Sequence, residues 1–187
     1  YCGRQLFIPA GRSFFANLQS NIFSFLSDNQ TLDPFIIEFG SMYESFKRIM
    51  NAPIGKVKKS SDIDDIENLI SNILGSDYLR EKNKDFLVHK DDRKINIVNA
   101  SSGQQETLPL LIILKLLLND ETRLGRTPNQ TIYIEEPEAH LFPSAQNSIV
   151  KLLSRLCNQD IGNYQIFITT HSPYVLSSFN NLFYAGN

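Results

Sequence analysis

The feature that most constrains this chain is a short apolar strand that runs directly into two acidic residues. Residues 131–134 read Thr-Ile-Tyr-Ile, and Glu135 and Glu136 follow at once. A buried strand of a parallel sheet ends at the edge where α/β proteins bind their ligands. Two carboxylates at that edge can hold Mg²⁺ and polarise an attacking water, as phosphoryl transfer requires. The alternative is a solvated acidic pair after an ordinary strand, because short motifs often match by chance.

A second segment repeats this pattern further along the chain. Residues 165–169 form another apolar run, and Thr170, His171 and Ser172 come directly after it. A histidine at such an edge can donate a hydrogen bond to a γ-phosphate, and its charge is tunable near neutral pH. The alternative is a structural histidine whose hydrogen bonds are made within the fold.

Small and polar residues open the most apolar helix of the chain. Residues 99–106 read Asn-Ala-Ser-Ser-Gly-Gln-Gln-Glu. A helix N-terminus attracts phosphate through its free N–H groups and its dipole. The alternative is an ordinary helix cap, in which Ser101 or Ser102 pairs with one of the residues 104–106 in a capping box.

Hydrophobic spacing and turn residues predict the other elements. Apolar runs predict strands at 6–8, 131–134 and 165–169, and a hairpin made of 78–89 and 94–98 around the polar turn 90–93. Helical spacing predicts helices at 14–26, 35–50, 62–74, 101–118, 144–157 and 173–179. Because strands alternate with helices, the predicted fold class is α/β, with a parallel sheet flanked by helices.

A chain of 187 residues can bury one sizeable core, so we expect one domain or a large piece of one. Residues 28–76 are predicted to form a helical lobe. The core of the domain is assigned to residues 1–27, as strand, loop and helix, and to residues 77–187, which include the hairpin and the three segments described above.

Charge and cysteine content exclude several classes. The net charge is −2, so nothing global favours nucleic acid, although local contacts through Arg12 or the lysines of 56–59 stay open. Cys2 and Cys157 match no metal-ligand spacing, which predicts reduced thiols in a cytoplasmic protein. The longest apolar stretch, 108–118, is too short to cross a bilayer, which takes about 20 residues.

Taken in chain order, the helix start at 99–106, the acidic segment at 131–136 and the histidine segment at 165–172 resemble ABC-like ATPases of the RecF, OLD and SMC kind. They look most like the bacterial AAA-type ATPases grouped with the OLD nucleases. The forms Ser-Ser-Gly-Gln-Gln-Glu, Glu-Glu-Pro-Glu-Ala-His-Leu and Thr-His-Ser-Pro occur here verbatim, at 101–106, 135–141 and 170–173. Residues 8–15 also look like a stretch found in these proteins. The resemblance covers nearly the whole chain and implies part of a P-loop NTPase fold that uses ATP and Mg²⁺.

The resemblance implies roles for the acidic and histidine positions. Glu135 would take the metal-side position of the Walker B segment, Glu136 that of the catalytic base, and His171 that of the switch histidine. Many ABC-like proteins have Asp where Glu135 stands, and the longer side chain can still reach Mg²⁺. A commoner form of the following loop has His where Phe142 stands.

The same resemblance implies that two further sets of residues contact nucleotide or a second subunit. Ser102, Gly103 and Gln105 would belong to the signature, which completes the nucleotide site of another subunit. Glu138 and His140 would belong to the D-loop, residues 138–141. The implied partner is therefore a second copy of the chain, with ATP bound between the two.

The phosphate-cradling Walker A loop has no match in these residues. The only Gly-Lys pair is Gly55-Lys56, which is followed by Val57 and has Met50 where the first glycine of the motif should stand. Without that loop the β- and γ-phosphates lose their main cradle, so these residues alone are expected not to hydrolyse ATP. We expect the missing strand, loop and helix to come from sequence upstream of Tyr1.

Three functions are compatible with these features. The first is the C-terminal half of an ATP-hydrolysing ABC-like domain that serves a DNA-directed or phage-defence task in the complete protein. The second is a degenerate, non-hydrolysing ATPase-like scaffold. The third is the ATPase part of an OLD-type nuclease, with a nuclease domain downstream of Asn187.

Overall fold

The structure is a computed structural model that describes residues 4–16, 33–51, 61–119, 130–158 and 164–185. In chain order the elements are β1 (Arg4–Ile8), α1 (Pro34–Asn51), α2 (Ser61–Leu74), β2 (Asp77–Glu81), β3 (Lys84–Val88), β4 (Lys94–Asn96), α3 (Ser102–Asn119), β5 (Gln130–Glu135), α4 (Pro143–Cys157), β6 (Tyr164–Thr169) and α5 (Pro173–Ala185). A helical turn covers 13–16, and the rest of the helix predicted at 14–26 lies outside the described residues. The lysines of 56–59, the loop through Gly125 and Pro128, and Cys2 lie outside them as well.

Three strands form the predicted parallel sheet, in the order β1-β5-β6. Ile8 lies beside Ile134, and Glu135 lies beside Thr169, so the carboxyl ends of the three strands meet at one edge. Ile8, Ile132 and Ile134 are fully buried on one face of this sheet. The α/β fold class with a parallel sheet flanked by helices is thereby confirmed, and it is consistent with a P-loop NTPase-like fold.

The opposite face of the sheet carries aromatic side chains at paired positions. Tyr133 and Phe167 are stacked with their ring centroids 5.1 Å apart, and both are exposed. Phe7 lies beside Tyr133 in the register and makes an edge contact with Phe35, at 5.3 Å, near the start of α1. Alternation along β5 therefore separates a buried aliphatic face from an aromatic one.

A three-stranded antiparallel sheet, in the order β2-β3-β4, replaces the single hairpin that was expected. The sequence pattern predicts one strand over 78–89, and this prediction is wrong, because Lys82 and Asn83 make a tight turn inside that segment. Both have positive φ, 47° and 63°, as the two-residue turns of hairpins require. The hairpin around 90–93 is confirmed, but β4 ends at Asn96 and a short 3-10 helix, Ile97–Asn99, follows.

A buried charged cluster connects α1 to this antiparallel sheet. The Lys47 ammonium lies 3.2 Å from a carboxylate oxygen of Asp85, and both side chains are almost fully buried. Arg80 and the Tyr78 hydroxyl donate to the other carboxylate oxygen, at 3.0 and 2.7 Å. Burial and the Asp85 charge raise the pKa of Tyr78, which keeps its hydroxyl protonated as a donor. Paired in this way, the buried charges hold helix and sheet in one arrangement.

Helix α3 passes through the centre of the core. Its residues 106–114 are all buried, so the helix is enclosed on every side rather than amphipathic. Helix α5 extends to Ala185, well beyond the one or two turns expected after Pro173. Among the described residues, no helix has both the length and the apolar composition needed to cross a membrane. The division into core and lobe stays a prediction.

Candidate functional site

The carboxyl edge of the parallel sheet brings the acidic and histidine segments together. The Glu136 N–H donates to the carbonyl oxygen of Thr169 at 3.0 Å, which ties the residue after β5 to the end of β6. The loop after β1 joins them, because the Ala10 N–H donates to a carboxylate oxygen of Glu135 at 3.1 Å. Segments up to 125 residues apart in the chain thus meet at one edge.

Glu136 and His171 face each other at this edge. A carboxylate oxygen of Glu136 lies 3.5 Å from Nε2 of His171, and the two side chains are 41% and 90% exposed. The imidazole therefore does not belong to the packed core. The Glu136 carboxylate can accept a proton and the His171 imidazole can donate a hydrogen bond. Because they are adjacent and open to solvent, both can contact the same bound group. Their catalytic roles stay predictions.

Glu135 is held by the loop after β1. Its side chain is half-buried and one carboxylate oxygen accepts the N–H of Ala10. Among the residues that the structure describes, no three His, Cys, Asp or Glu side chains form a metal-binding group. Mg²⁺ is usually held by one or two carboxylates together with substrate phosphates and water, so the Glu135 carboxylate at the ligand-binding edge fits that ion.

Arg12 is the central buried residue of the site, and the sequence offered no sign of this. Its guanidinium is fully buried and donates to the carbonyl oxygens of Pro9, Glu135, Glu136 and Glu106, at 2.7 to 3.0 Å. Burial lowers the pKa of this guanidinium, against the opposing charge of Glu106. The burial of Arg12 rules out the contact with nucleic acid that its charge allows.

Glu106 holds the loop after β1 against α3. Its two carboxylate oxygens accept the N–H groups of Arg12 and Ser13, both at 2.8 Å, and one of them lies 3.5 Å from the Arg12 guanidinium. The sequence offers Glu106 only the role of completing a capping box. That box is instead made by Ser101 and Gln104, which exchange hydrogen bonds at 3.3 and 3.1 Å.

The three predicted signature residues have different environments at the start of α3. Ser102 is exposed, whereas the Gln105 amide donates to the carbonyl oxygens of residues 97, 98 and 100 at 2.9 to 3.2 Å. Gly103 is buried against the D-loop, since an added Cβ would lie 2.5 Å from the carbonyl oxygen of His140. The start of α3 and the D-loop therefore pack backbone to backbone.

Replacing Gly103 with alanine is expected to lower the free energy of unfolding by about 1–3 kcal/mol, because a backbone atom must move to admit the methyl group. The check is urea unfolding of the protein, in which the dependence of the unfolding free energy on urea concentration is fitted for each variant. Ser102→Ala, one residue earlier and exposed, is the matched control and should change stability by less than about 0.5 kcal/mol. Equal effects of the two substitutions would contradict the contact.

Glu138 joins the D-loop to the segment after β6. One of its carboxylate oxygens accepts the Thr170 hydroxyl and the His171 N–H, the latter at 3.1 Å. The other oxygen is buried and has no hydrogen-bond partner within the described part of the chain. His140, the other predicted D-loop residue, is exposed with φ at 61°. Glu138 thus acts on the backbone of His171, while His140 faces outward.

A second link runs through α4. The Ser172 hydroxyl donates to the Gln146 side-chain oxygen and accepts the Tyr174 N–H at 3.2 Å, so Ser172 caps α5. The Gln146 amide nitrogen donates to the Leu141 carbonyl oxygen at 2.9 Å. Gln146 was not foreseen as part of the site, because a single glutamine inside a helix has no local signal.

Glu138→Ala is expected to speed hydrogen exchange of the His171 amide by at least tenfold, because that N–H loses its acceptor. Loss of the acceptor for Thr170 and His171 should also cost about 1–3 kcal/mol of stability. Mass spectrometry of peptides that contain residue 171 provides the measurement. Glu38→Ala, on the exposed side of α1, should leave that exchange unchanged. Equal exchange in both variants would show that Glu138 does not hold this segment.

Comparison with known proteins shows which family the chain belongs to. Residues 11–176 match the protein family described as AAA ATPase domain. The Old nuclease of Escherichia phage P2 is 35% identical over 84 residues, which are 44% of this chain and 14% of that protein. The chain therefore spans only a small part of that relative's length. Since the family match covers most of the chain, including residues 101–106, 135–141 and 170–173, the chain belongs to the AAA ATPase domain family.

Proposed function

We propose that this chain is the part of an OLD-type, Mg²⁺-dependent ATPase domain that carries the catalytic base, the switch histidine and the signature. The observation that carries the proposal is the pairing of Glu136 with His171, 3.5 Å apart and open to solvent at the carboxyl edge of a parallel sheet. Ligands of α/β folds bind at that edge.

Each side chain of the site has a role that its position supports. Glu136, exposed and negatively charged, orients the attacking water and accepts its proton. His171 donates a hydrogen bond toward the γ-phosphate. Glu135 would hold Mg²⁺, which supplies charge neutralisation to the phosphates when bound. Arg12 keeps the carbonyl oxygens around the two acids turned inward, away from a negatively charged ligand.

A phosphate-binding loop from another part of the complete protein completes the site in this proposal. No Gly-x-x-x-x-Gly-Lys-Ser/Thr motif occurs in the 187 residues. The described edge supplies carboxylates and a histidine, but it lacks a lysine that could neutralise the β- and γ-phosphates. Residues 1–187 alone are therefore expected to be inactive.

ATP binds between two copies of the protein in this proposal. Ser102 and His140 are both exposed, and the contact of Gly103 with the His140 carbonyl makes the start of α3 continuous with the D-loop. When one copy contacts the nucleotide of the other through its signature, its D-loop would therefore lie at the same interface. ATP is expected to shift a hydrolysis-deficient full-length protein to a dimer in size-exclusion chromatography.

The test of the ATPase proposal is phosphate release from ATP by the full-length protein, beside residues 1–187 alone, with Mg²⁺ and with EDTA. We expect release only from the full-length protein with Mg²⁺. Binding of ATP without hydrolysis would favour the non-hydrolysing scaffold. Failure of the full-length protein to bind ATP would refute the proposal.

A second candidate, the ATPase part of an OLD-type nuclease, is favoured by the similarity to the Old nuclease of phage P2. That protein is much longer than the matched region. In this second candidate, the nuclease activity would belong to sequence outside these residues. Metal-dependent nicking of plasmid DNA by the full-length protein is the measurement. Hydrolysis of ATP without any cleavage of DNA would leave only the first candidate.

A further inference from the structure

We propose that Arg12 is a positioning residue that fixes the backbone on both sides of Glu136 and connects it to the signature helix α3. The inference rests on the proposed function, since it concerns how the catalytic base is aimed. Arg12 itself is fully buried, so it reaches the edge where a ligand would bind only through the backbone of Glu135 and Glu136.

The first support is that the guanidinium donates four hydrogen bonds to backbone carbonyl oxygens and also pairs with a carboxylate. Nε donates to the Glu106 carbonyl oxygen, and one terminal nitrogen donates to the carbonyl oxygens of Pro9 and Glu135. The other terminal nitrogen donates to the Glu136 carbonyl oxygen and pairs with the Glu106 carboxylate. A lysine carries the same charge but only three donors, so it cannot reproduce this set.

The second support is the conformation of Glu136. Its φ is 41°, in the left-handed region that residues with a Cβ seldom adopt. The carbonyl oxygen before it and its own carbonyl oxygen both accept from Arg12, while its N–H donates to Thr169. With both flanking peptide groups held, the direction of the Cα–Cβ bond is determined. The carboxylate is thereby aimed toward His171.

The third support is the link to α3. Glu106 lies one helical turn after Gly103, and it accepts from the Arg12 backbone and side chain. A displacement at the start of α3, where a second subunit's nucleotide would bind, therefore acts on Arg12 through Glu106. Arg12 in turn acts on the peptide groups around Glu136. The signature and the catalytic base thus share one buried side chain.

The test is Arg12→Lys in the full-length protein, with steady-state ATP hydrolysis and ATP binding measured separately. We expect kcat to fall at least tenfold and the KM for ATP to stay within threefold, because the substitution keeps the charge and changes the aim. In the Glu136→Gln background, Arg12→Lys should cause no further loss of kcat, since two residues that act through one group are not additive. Arg93→Lys, in an exposed pair, is the matched control and should leave kcat unchanged.

If the wild-type protein hydrolyses ATP, three results for the Arg12→Lys protein would overturn the inference. They are a kcat within threefold of wild type, an equal loss of ATP binding and kcat, and a further multiplicative loss in the Glu136→Gln background. If the wild type itself does not hydrolyse ATP, the proposed function fails, and a crystal structure decides about Arg12. In the full-length Arg12→Lys protein, Glu136 should then leave positive φ, and an unchanged backbone there would refute the positioning role.

Discussion

Glu136→Gln is expected to reduce kcat for ATP hydrolysis by the full-length protein about 10²- to 10⁴-fold, the usual contribution of a general base. Glutamine has nearly the same shape, and the backbone contacts of Glu136 to Thr169 and Arg12 do not use its side chain. The substitution therefore removes the proton acceptor and preserves the site. Binding of ATP should persist, and a bound dimer should accumulate because it is no longer opened by hydrolysis.

Phosphate release and binding of a fluorescent ATP analogue, measured on the same preparations, provide the check. Glu38→Gln, an exposed acid on α1, is the matched control and should retain the kcat of wild type. A Glu136→Gln protein with more than a third of wild-type kcat would show that the base lies elsewhere. Loss of ATP binding together with activity would instead assign Glu136 to the binding of nucleotide.

Arg12→Met is expected to cost about 3–5 kcal/mol of stability, because it removes one partner of a buried ion pair and leaves the other uncompensated. Glu106 is 2% exposed and would be left in the interior without the guanidinium beside it. The carbonyl oxygens of Pro9, Glu135 and Glu136 would each lose a donor as well. Methionine fills a similar volume, so the loss would reflect hydrogen bonds and charge more than packing.

The measurement is urea unfolding of the full-length protein, analysed for the transition that includes α3, with hydrogen exchange to identify it. Arg93→Met provides the control, since Arg93 and Asp91 form an ion pair in which both side chains are more than half exposed. That substitution should change stability by less than about 1 kcal/mol. If Arg12→Met is as mild as its control, the buried pair does not stabilise the fold.

The elements that could be predicted from sequence are those with a local pattern. The apolar runs of β5 and β6, each followed by polar residues, predicted a parallel sheet whose carboxyl edge carries Glu135, Glu136 and His171. Local composition is sufficient there, because a buried strand must be apolar and the residue after it must leave the core. The family resemblance carried by these segments agrees with the match to the AAA ATPase domain family.

The parts that could not be predicted depend on long-range contacts or on unusual turn residues. Arg12 stands between Gly11 and Ser13 with no periodic pattern, and its ion-pair partner Glu106 is 94 residues away. The β2–β3 turn uses Lys82 and Asn83, although such positive-φ turns usually contain glycine. In sequence, a polar turn without glycine looks the same as an exposed stretch of strand, so the pattern predicts one strand there.

The long sequence separations within the site also determine when it can form during synthesis. The Arg12 side chain needs Glu106 and Glu135, which are 94 and 123 residues further along the chain. Until β5 has left the ribosome, Arg12 and Glu106 lack several of the partners with which they are buried in the folded protein. Contacts of such separation form slowly and leave intermediates exposed to aggregation. A product of translation that stops before residue 135 lacks the Glu135 acceptor of Arg12 and cannot form this site. We expect chaperones to bind such a product and proteases to degrade it.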